Sequence, residues 1–413
     1  MGALVATLVA AMLLLLPAAP AAAGPERVHE VVAVTQRLFY YDIPPTAYLK
    51  ARRAAADAAG EMSAGAVVSD FGARELEAAV AAIVARHPEQ AEAIVTASIR
   101  GFVEGLNDPY TTWLSAQDKA MLEAQQSGKA FTGIGIEVAP DPRGLRVVAS
   151  LEGSPARGAG LRPGDRIAAV NGTSLVGMGL YRASDLLLGP LGSAVSLSVE
   201  RDGAQRSIRL ERASLVIPPV RAGIVERGGL PVGYVRIAIF GPQTGEQTKA
   251  ALQRLAAQNP RGWIIDLRDN PGGTLSAALD IAGLFAPGQV LLRVSKRGGA
   301  EEARQAPGVA ARVTKPVVVL INGGTASSSE VLAGALRDLG IATLLGGQSF
   351  GKGVIQSMVP LHGGGALRLT TARYRTPAGH DIHGQGLAPD VEAKSEGDAL
   401  VGRALALIKD RLR

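Results

Sequence analysis

Three consecutive serines, Ser327, Ser328 and Ser329, followed by Glu330, stand between an apolar run and a helix-like one in LINGGTASSSEVLAGALRDLG, residues 320–340. A serine hydroxyl at such a boundary has two occupations open to it. It can cap the first free N–H groups of the helix, and Ser327 with Glu330 fits the S-x-x-E capping box. It can also act as a nucleophile, because a helix N-terminus offers backbone N–H donors and the positive end of a dipole to an oxyanion forming beside it. In that case Ser327 attacks and the Ser328 N–H lies close to the oxyanion. Spacing alone leaves both readings standing.

A nucleophilic serine needs a group to take its proton. The chain has five histidines, His29, His87, His362, His380 and His383, and no G-x-S-x-G elbow. His380 and His383 flank Asp381 in a stretch rich in glycine and proline, which reads as a solvated turn rather than a metal pair. With no cysteine anywhere, thiol nucleophiles and thiolate metal sites are excluded. A lysine is the alternative base. Lys352 sits between Gly351 and Gly353, beside Phe350, Val354 and Ile355, in company apolar enough to desolvate its amine. Lowering a lysine pKa from ~10.4 to about 7 costs roughly 4.6 kcal/mol, a cost that makes sense when a neutral general base is obtained. The same stretch nearly matches a phosphate loop, with Gly346, Gly351 and Lys352 in register. It fails at Gly353, where Ser or Thr would hold magnesium, and a strand-like VIQSMVPL follows instead of a helix, which leaves a nucleotide-binding protein a poor rival.

Helical apolar spacing dominates residues 24–128 and stops at LNDPYTTWL, where Asn107-Asp108-Pro109 signals a turn. From Phe131 the pattern becomes short alternating runs split by glycine (GIGIEV, LRVVASL, RIAAVNG, VSLSVERDG, SIRLERA), with one helix predicted over 181–188. This small β-rich unit is assigned to 129–215. Beyond it, strands predicted at 233–240, 263–267, 290–294, 316–321 and 342–347 alternate with helices at 244–257, 275–285 and 328–338, the pattern of an α/β layer over 216–395. Residues 396–413 form a closing helix. The expected class is therefore a multidomain α+β and α/β protein.

Residues 3–16 are an uncharged apolar run of signal-peptide length, followed by Pro17 and an A-x-A site at 21–23, so 1–23 reads as a leader and the chain as exported. The run is short of the ~20 residues that span a bilayer and no basic residue precedes it, which leaves an uncleaved anchor as the alternative. The net charge is +6, yet the lysines and arginines form no run of five or more. Scattered charge is read as solvation, and no nucleic-acid partner is expected.

Seven segments, in order, resemble the carboxy-terminal processing proteases, bacterial and plastid serine endopeptidases with a Ser-Lys dyad and an inserted PDZ domain. They are GFVEGLNDPYTTWL, FTGIGIEV, SPARGAGLRPGDRIAAVNG, DLRDNPGG, GGTASSSEVLAGALRD, FGKGVIQ and LTTARYRTPAGHDIHGQGLAPDV, within residues 95–392. The resemblance implies a PDZ domain at 129–215 and a protease core of ClpP/crotonase-like type at 216–395. Ser327 falls on the nucleophile and Lys352 on the base. Gln356 falls on the group that orients the lysine, and Asp338 on an accessory position that a plain helix-end surface role would equally explain. Gly272 or Gly273, with Ser328, would complete the oxyanion hole. In the PDZ domain, Gly133, Ile134, Gly135 and Ile136 match the loop whose N–H groups capture a peptide carboxylate while the peptide adds as an edge strand. Two positions depart from the pattern: Ser328 stands where alanine is usual, and Leu188 where the family often has arginine.

The implied activity is that of an exported enzyme, periplasmic or extracellular, that binds apolar C-terminal tails and cuts them without metal or organic cofactor. Peripheral membrane proximity and a homo-oligomer stay open. A catalytically silent PDZ-bearing scaffold is the alternative, and FGKG at the right distance argues against it.

Overall fold

The computed structural model describes residues 24–413 except 62–70, 117, 120–130, 152, 177, 179–182, 184–185, 216–217, 309–312, 363–364 and 395–396. The leader assigned to 1–23 lies outside the described residues, as does most of the helix expected at 181–188, of which Ala183, Leu186 and Leu187 are helical.

Among the described residues four α-helices come first: α1 (Glu26–Leu38), α2 (Pro45–Ala58), α3 (Ala73–Arg86) and α4 (Ala91–Gly105). Alanines at Ala47, Ala51 and Ala55 on one stripe of α2 let it approach α4 closely, and Gly105 has no room for a Cβ against Ala47. The turn at Asn107-Asp108-Pro109 follows, then β1 (Thr112–Leu114). Asp108 accepts from the Tyr110 N–H and the Thr111 hydroxyl, which fixes the direction of the Tyr110 ring.

The β-rich unit contains β2 (Phe131–Gly133), β3 (Ile136–Asp141), β4 (Gly144–Ser150), β5 (Arg166–Val170), β6 (Thr173–Ser174), β7 (Ala194–Arg201), β8 (Ala204–Glu211) and β9 (Ala213–Leu215). Its main sheet runs β3-β4-β5-β7-β8, which makes β3 an edge strand. A single turn of helix, Pro155–Gly158, interrupts it after β4.

The remainder forms two sheets. One runs β10 (Val220–Arg227), β11 (Leu230–Ile237), β12 (Trp263–Asp266), β15 (Val317–Ile321), β16 (Ala342–Gly346) and β19 (Val391–Glu392), parallel from β11 onward. Strand β15 is VVVLI with every residue buried, as a strand covered on both faces must be. The helices Thr244–Ala256, Leu275–Gly283 and Ser328–Asp338 cover one face and Gly397–Arg411 the other. The second sheet joins β1, β18 (Ala366–Arg375), β13 (Val290–Lys296) and β14 (Glu302–Gln305), with β17 (Val354–Pro360) on the other side of β18. Strand β13 therefore does not join the α/β layer, as its apolar run suggested. It is buried only in part, with Arg293 exposed, and it pairs antiparallel with β14 and β18. Leu361, Leu367 and Leu369 of this second sheet pack into the core of the N-terminal helices.

Candidate active site

Ser327 lies at the turn between β15 and the helix Ser328–Asp338, with φ 55° and ψ −120°. A non-glycine residue in that region stores of order 1–3 kcal/mol of strain. The turn is thus a strained strand-to-helix elbow built without a G-x-S-x-G signature. Half of the expected capping box forms: the Glu330 carboxylate accepts the Ser327 N–H at 2.8 Å. The Glu330 N–H goes to the Ser327 carbonyl at 2.8 Å, and the Ser327 hydroxyl makes no side-chain cap hydrogen bond. The two serines that follow are anchored. Ser328 Oγ donates to the Gly273 carbonyl at 2.9 Å and Ser329 Oγ to the Asn270 carbonyl at 3.0 Å, so both pin the helix to the loop at 267–273.

Lys352 enters from the loop that carries the chain from β16 in one sheet to β17 in the other. Its flanking glycines are required by close packing: a Cβ at Gly351 would lie 2.8 Å from the Gly386 N, and one at Gly353 2.8 Å from the His383 N. The amine stands 5.3 Å from the centre of the Tyr110 ring, a cation–π distance, and has no hydrogen-bond or ion-pair partner among the described residues. Burial, reinforced by the Arg368 charge, lowers its pKa from 10.5 to about 8, while Glu137, Glu330 and Asp108 pull the other way. This is a smaller displacement than the drop to about 7 considered from sequence, and it still leaves a substantial neutral fraction near pH 8.

Two buried groups tie the serine to the lysine. Glu330, fully buried, accepts from the N–H groups of Ser327, Gly351 (2.8 Å) and Lys352 (2.9 Å) and from the Ser349 hydroxyl (2.5 Å). Burial lifts its carboxyl above the ordinary range although these four donors oppose the shift. Tyr374 donates to both the Ser327 carbonyl (3.1 Å) and the Lys352 carbonyl (2.7 Å), and burial pushes its phenol well above the usual value. Sequence reasoning saw Glu330 only as a capping partner and missed Tyr374. The S-x-x-E spacing and the buried tyrosine of LTTARYRTP were the available signals.

The loop 267–273 completes the floor. The buried Asp266 carboxylate at its root is held by Arg268 (2.5 Å), Arg236 (3.3 Å) and Tyr234 (2.7 Å). The loop then turns through Asp269 (φ 56°) and Gly272 (φ 98°). A Cβ on Gly272 would meet Ser327 Cβ at 2.8 Å and Ser328 N at 3.0 Å, so only glycine lets the loop lie against the serine. The Gly272 N–H is engaged by Asn270 Oδ1 at 2.9 Å. The N–H groups of Gly273 and Ser328 have no acceptor among the described residues.

Gln356, expected to orient the lysine, shares the cavity of Lys352, but its amide is committed elsewhere. Nε2 donates to the Tyr110 carbonyl and Oε1 accepts from Arg368 at 2.7 Å. Asp338 is also committed: it accepts from the Ala378 N–H at 3.0 Å and pairs with Arg337 (3.2 Å) and His380 (3.5 Å), which secures the turn at 376–380. Burial raises its pKa, but Thr376, Ala378 and Arg337 together bring it below the ordinary value.

The cavity at Lys352 is lined by Pro109 and Tyr110 from the N-terminal region, Glu137, Val138 and Val148 from the β-rich unit, and Pro271, Ala326, Phe350, Gln356 and Arg368. The β-rich unit touches all three loops of the site. Arg157 pairs with Asp269 at 2.7 Å, Val148 packs with Ala326 and Phe350, and Arg146 lies 4.5 Å over the Phe350 ring. On the same unit, Gly133 ends β2, Ile134 is buried, Gly135 takes φ 75° and Ile136 begins the edge strand β3. Among the described residues no cluster of three His, Cys, Asp or Glu is placed to hold a metal, and no helix is long and apolar enough to cross a membrane.

Comparison with known proteins fits this geometry. Residues 231–393 match peptidase family S41 and residues 146–201 match a PDZ domain. A carboxyl-terminal-processing protease of Synechocystis is 38% identical over 297 residues, covering 71% of this chain and 69% of that protein. The carboxy-terminal processing protease CtpB of Bacillus subtilis is 34% identical over 306 residues, covering 73% and 63% respectively. Among solved structures, the photosystem II D1 C-terminal processing protease superposes with a TM-score of 0.73 at 30% identity, over 92% of this chain and 97% of that one. The chain belongs to the carboxyl-terminal-processing proteases, serine peptidases of family S41 that carry a PDZ domain.

Proposed function

We propose that this chain is an exported endopeptidase that captures the apolar C-terminal tail of a protein on its PDZ domain, read as residues 129–215, and hydrolyses peptide bonds with a Ser327-Lys352 dyad in the core at 216–395. The observation that carries this reading is the contrast at one helix start: an unengaged Ser327 hydroxyl on a strained elbow, bound through Glu330 and Tyr374 to a lysine whose pKa is near 8.

The chemistry follows from the atoms available. Neutral Lys352 Nζ takes the proton of Ser327 Oγ as that oxygen attacks the substrate carbonyl, and returns it to the leaving amine when the acyl-enzyme forms. Water, deprotonated in turn by the same amine, releases the acyl group. The oxyanion is assigned to the N–H groups of Ser328 and Gly273, with Gly272 the tighter-packed alternative whose own N–H is occupied. Gln356 acts on the site through Tyr110 and Arg368, and Asp338 through the turn at 376–380. Peptide capture is assigned to the 133–136 loop and the free edge of β3, where a tail would add as a strand.

A silent scaffold would need neither the depressed lysine nor the glycines that seat it. The test is degradation of an unfolded protein by wild type, Ser327→Ala and Lys352→Ala. Loss of cleavage in both variants supports the dyad, and equal cleavage by all three overturns it. N-terminal sequencing of the secreted protein, expected to begin near Gly24, tests export.

A further inference from the structure

The cavity beside Lys352 holds a second cation that the dyad does not use. Arg368 projects from β18, whose backbone pairs on one side with Thr112 and on the other with Met358, so its Cα is fixed within a sheet. Its guanidinium makes one hydrogen bond among the described residues, from Nη2 to Gln356 Oε1 at 2.7 Å. Gln356 is itself anchored on the Tyr110 carbonyl. A guanidinium has five N–H donors in a rigid fork, and most of them here are unspent. Three other partly enclosed arginines meet acids, Arg201 with Asp165 at 2.6 Å, Arg268 with Asp266 at 2.5 Å and Arg373 with Asp381 at 2.8 Å, while the buried Arg212 spends its donors on the Leu186, Leu187 and Ala194 carbonyls and the Ser193 hydroxyl. Arg368 has no carboxylate within ion-pair distance among the described residues, although Glu137 lines the same cavity. The walls around it are mixed: Pro109, Val138 and Phe350 are apolar, and Glu137, Lys352 and Gln356 are polar. A preoriented, partly desolvated fork without a counter-charge is the arrangement that favours bidentate capture of a carboxylate.

Resting on the assignment of Ser327 and Lys352 as the dyad, we propose that Arg368 is a specificity-determining residue that grips, bidentately, a carboxylate of the substrate close to the scissile bond. The carboxylate belongs either to an acidic side chain or to a free chain terminus. Orientation by Gln356 is then part of substrate recognition rather than of proton transfer.

The test uses the full-length protein and synthetic peptides with one constant apolar tail. One arm places Glu or Gln, singly, at each of the three positions on either side of the cleaved bond. The other compares short peptides ending as free acid or as amide. In wild type, one acid is preferred over its neutral counterpart by about 10- to 100-fold in kcat/KM, and Arg368→Gln brings that ratio close to one while neutral peptides are still cleaved. Preference in the first arm assigns the side chain, and preference in the second assigns the terminus. Arg368→Lys keeps the charge and removes the fork, so it lowers the ratio at least about fivefold and serves if Arg368→Gln does not fold. No acid preference in wild type, or one unchanged in either variant, overturns the proposal. Binding of the same peptides to Ser327→Ala separates it from the dyad reading: an Arg368-dependent acid preference in affinity stands even if no peptide is hydrolysed.

Discussion

Ser154 and Ser327 each stand at the N-cap of a helix, and they are used in opposite ways. Ser154 precedes the short helix Pro155–Gly158 with ordinary extended angles, φ −84° and ψ 157°, and its hydroxyl accepts the Arg157 N–H and donates to the Gly135 carbonyl. Ser327 precedes the helix Ser328–Asp338 in a strained conformation, and its hydroxyl is left without a partner. The capping work at the second helix falls to Glu330, and the neighbouring serines are anchored by carbonyls of the adjoining loop. Residue type and helix position are the same. What separates the structural serine from the proposed nucleophile is which other groups have taken over its hydrogen bonds.

Several substitutions break or sharpen that contrast. Ser327→Ala should lower kcat/KM about ten-thousandfold or more, whereas Ser154→Ala should leave proteolysis within a few-fold; a protease assay on both variants reads the difference directly.

Lys352→Met should be nearly as inactive and yet more stable. The folded-state pKa near 8 lies below the ordinary 10.5, so the native protein holds the amine less favourably charged than the unfolded chain does. Below pH 8 that penalty amounts to ~3 kcal/mol at most, and it shrinks as pH rises from 8 to 10.5, where the unfolded lysine also loses its proton. Denaturant unfolding of both proteins at pH 7 and pH 10 should therefore show a gain for Lys352→Met that fades at high pH. Equal stability at pH 7 would mean the lysine is not desolvated. Wild-type kcat/KM should climb with pH through about 8, since only the neutral amine accepts a proton.

Glu330→Gln replaces an acceptor of four hydrogen bonds by an amide that must point donors at donors. A loss of about 2–4 kcal/mol in stability, with a large fall in activity, is expected by thermal unfolding and assay. The smallest effect is expected of Ser154→Ala on stability, about 1 kcal/mol, confined to the PDZ unit.

Much of this was legible in the residues. The β15 run VVVLI, the alternation of β7 and the apolar stripes of α2 and α4 carry their own periodicity, and Ser327 and Lys352 stand out by type, neighbours and order. Other features depend on contacts between distant segments. The apolar run of β13 is compatible with either sheet, and only its pairing with β18 decides. Glu330 looks like an ordinary N3 residue until residues 349–352 fold over it. Arg368 is one more arginine in a strand until Tyr110, from 258 residues earlier in the chain, arrives with Gln356 beside it. The free hydroxyl of Ser327 follows from a backbone angle, which a pattern such as S-x-x-E cannot encode.

The most direct measurement is covalent labelling with an acylating or phosphonylating serine probe, with the modified residue located by peptide mass mapping across pH 6–10. The account predicts a single adduct on Ser327, absent from Lys352→Met, with a labelling rate that rises through about pH 8. An adduct on Ser328 or Ser329, or a Ser327 rate indifferent to pH and to Lys352, would contradict it.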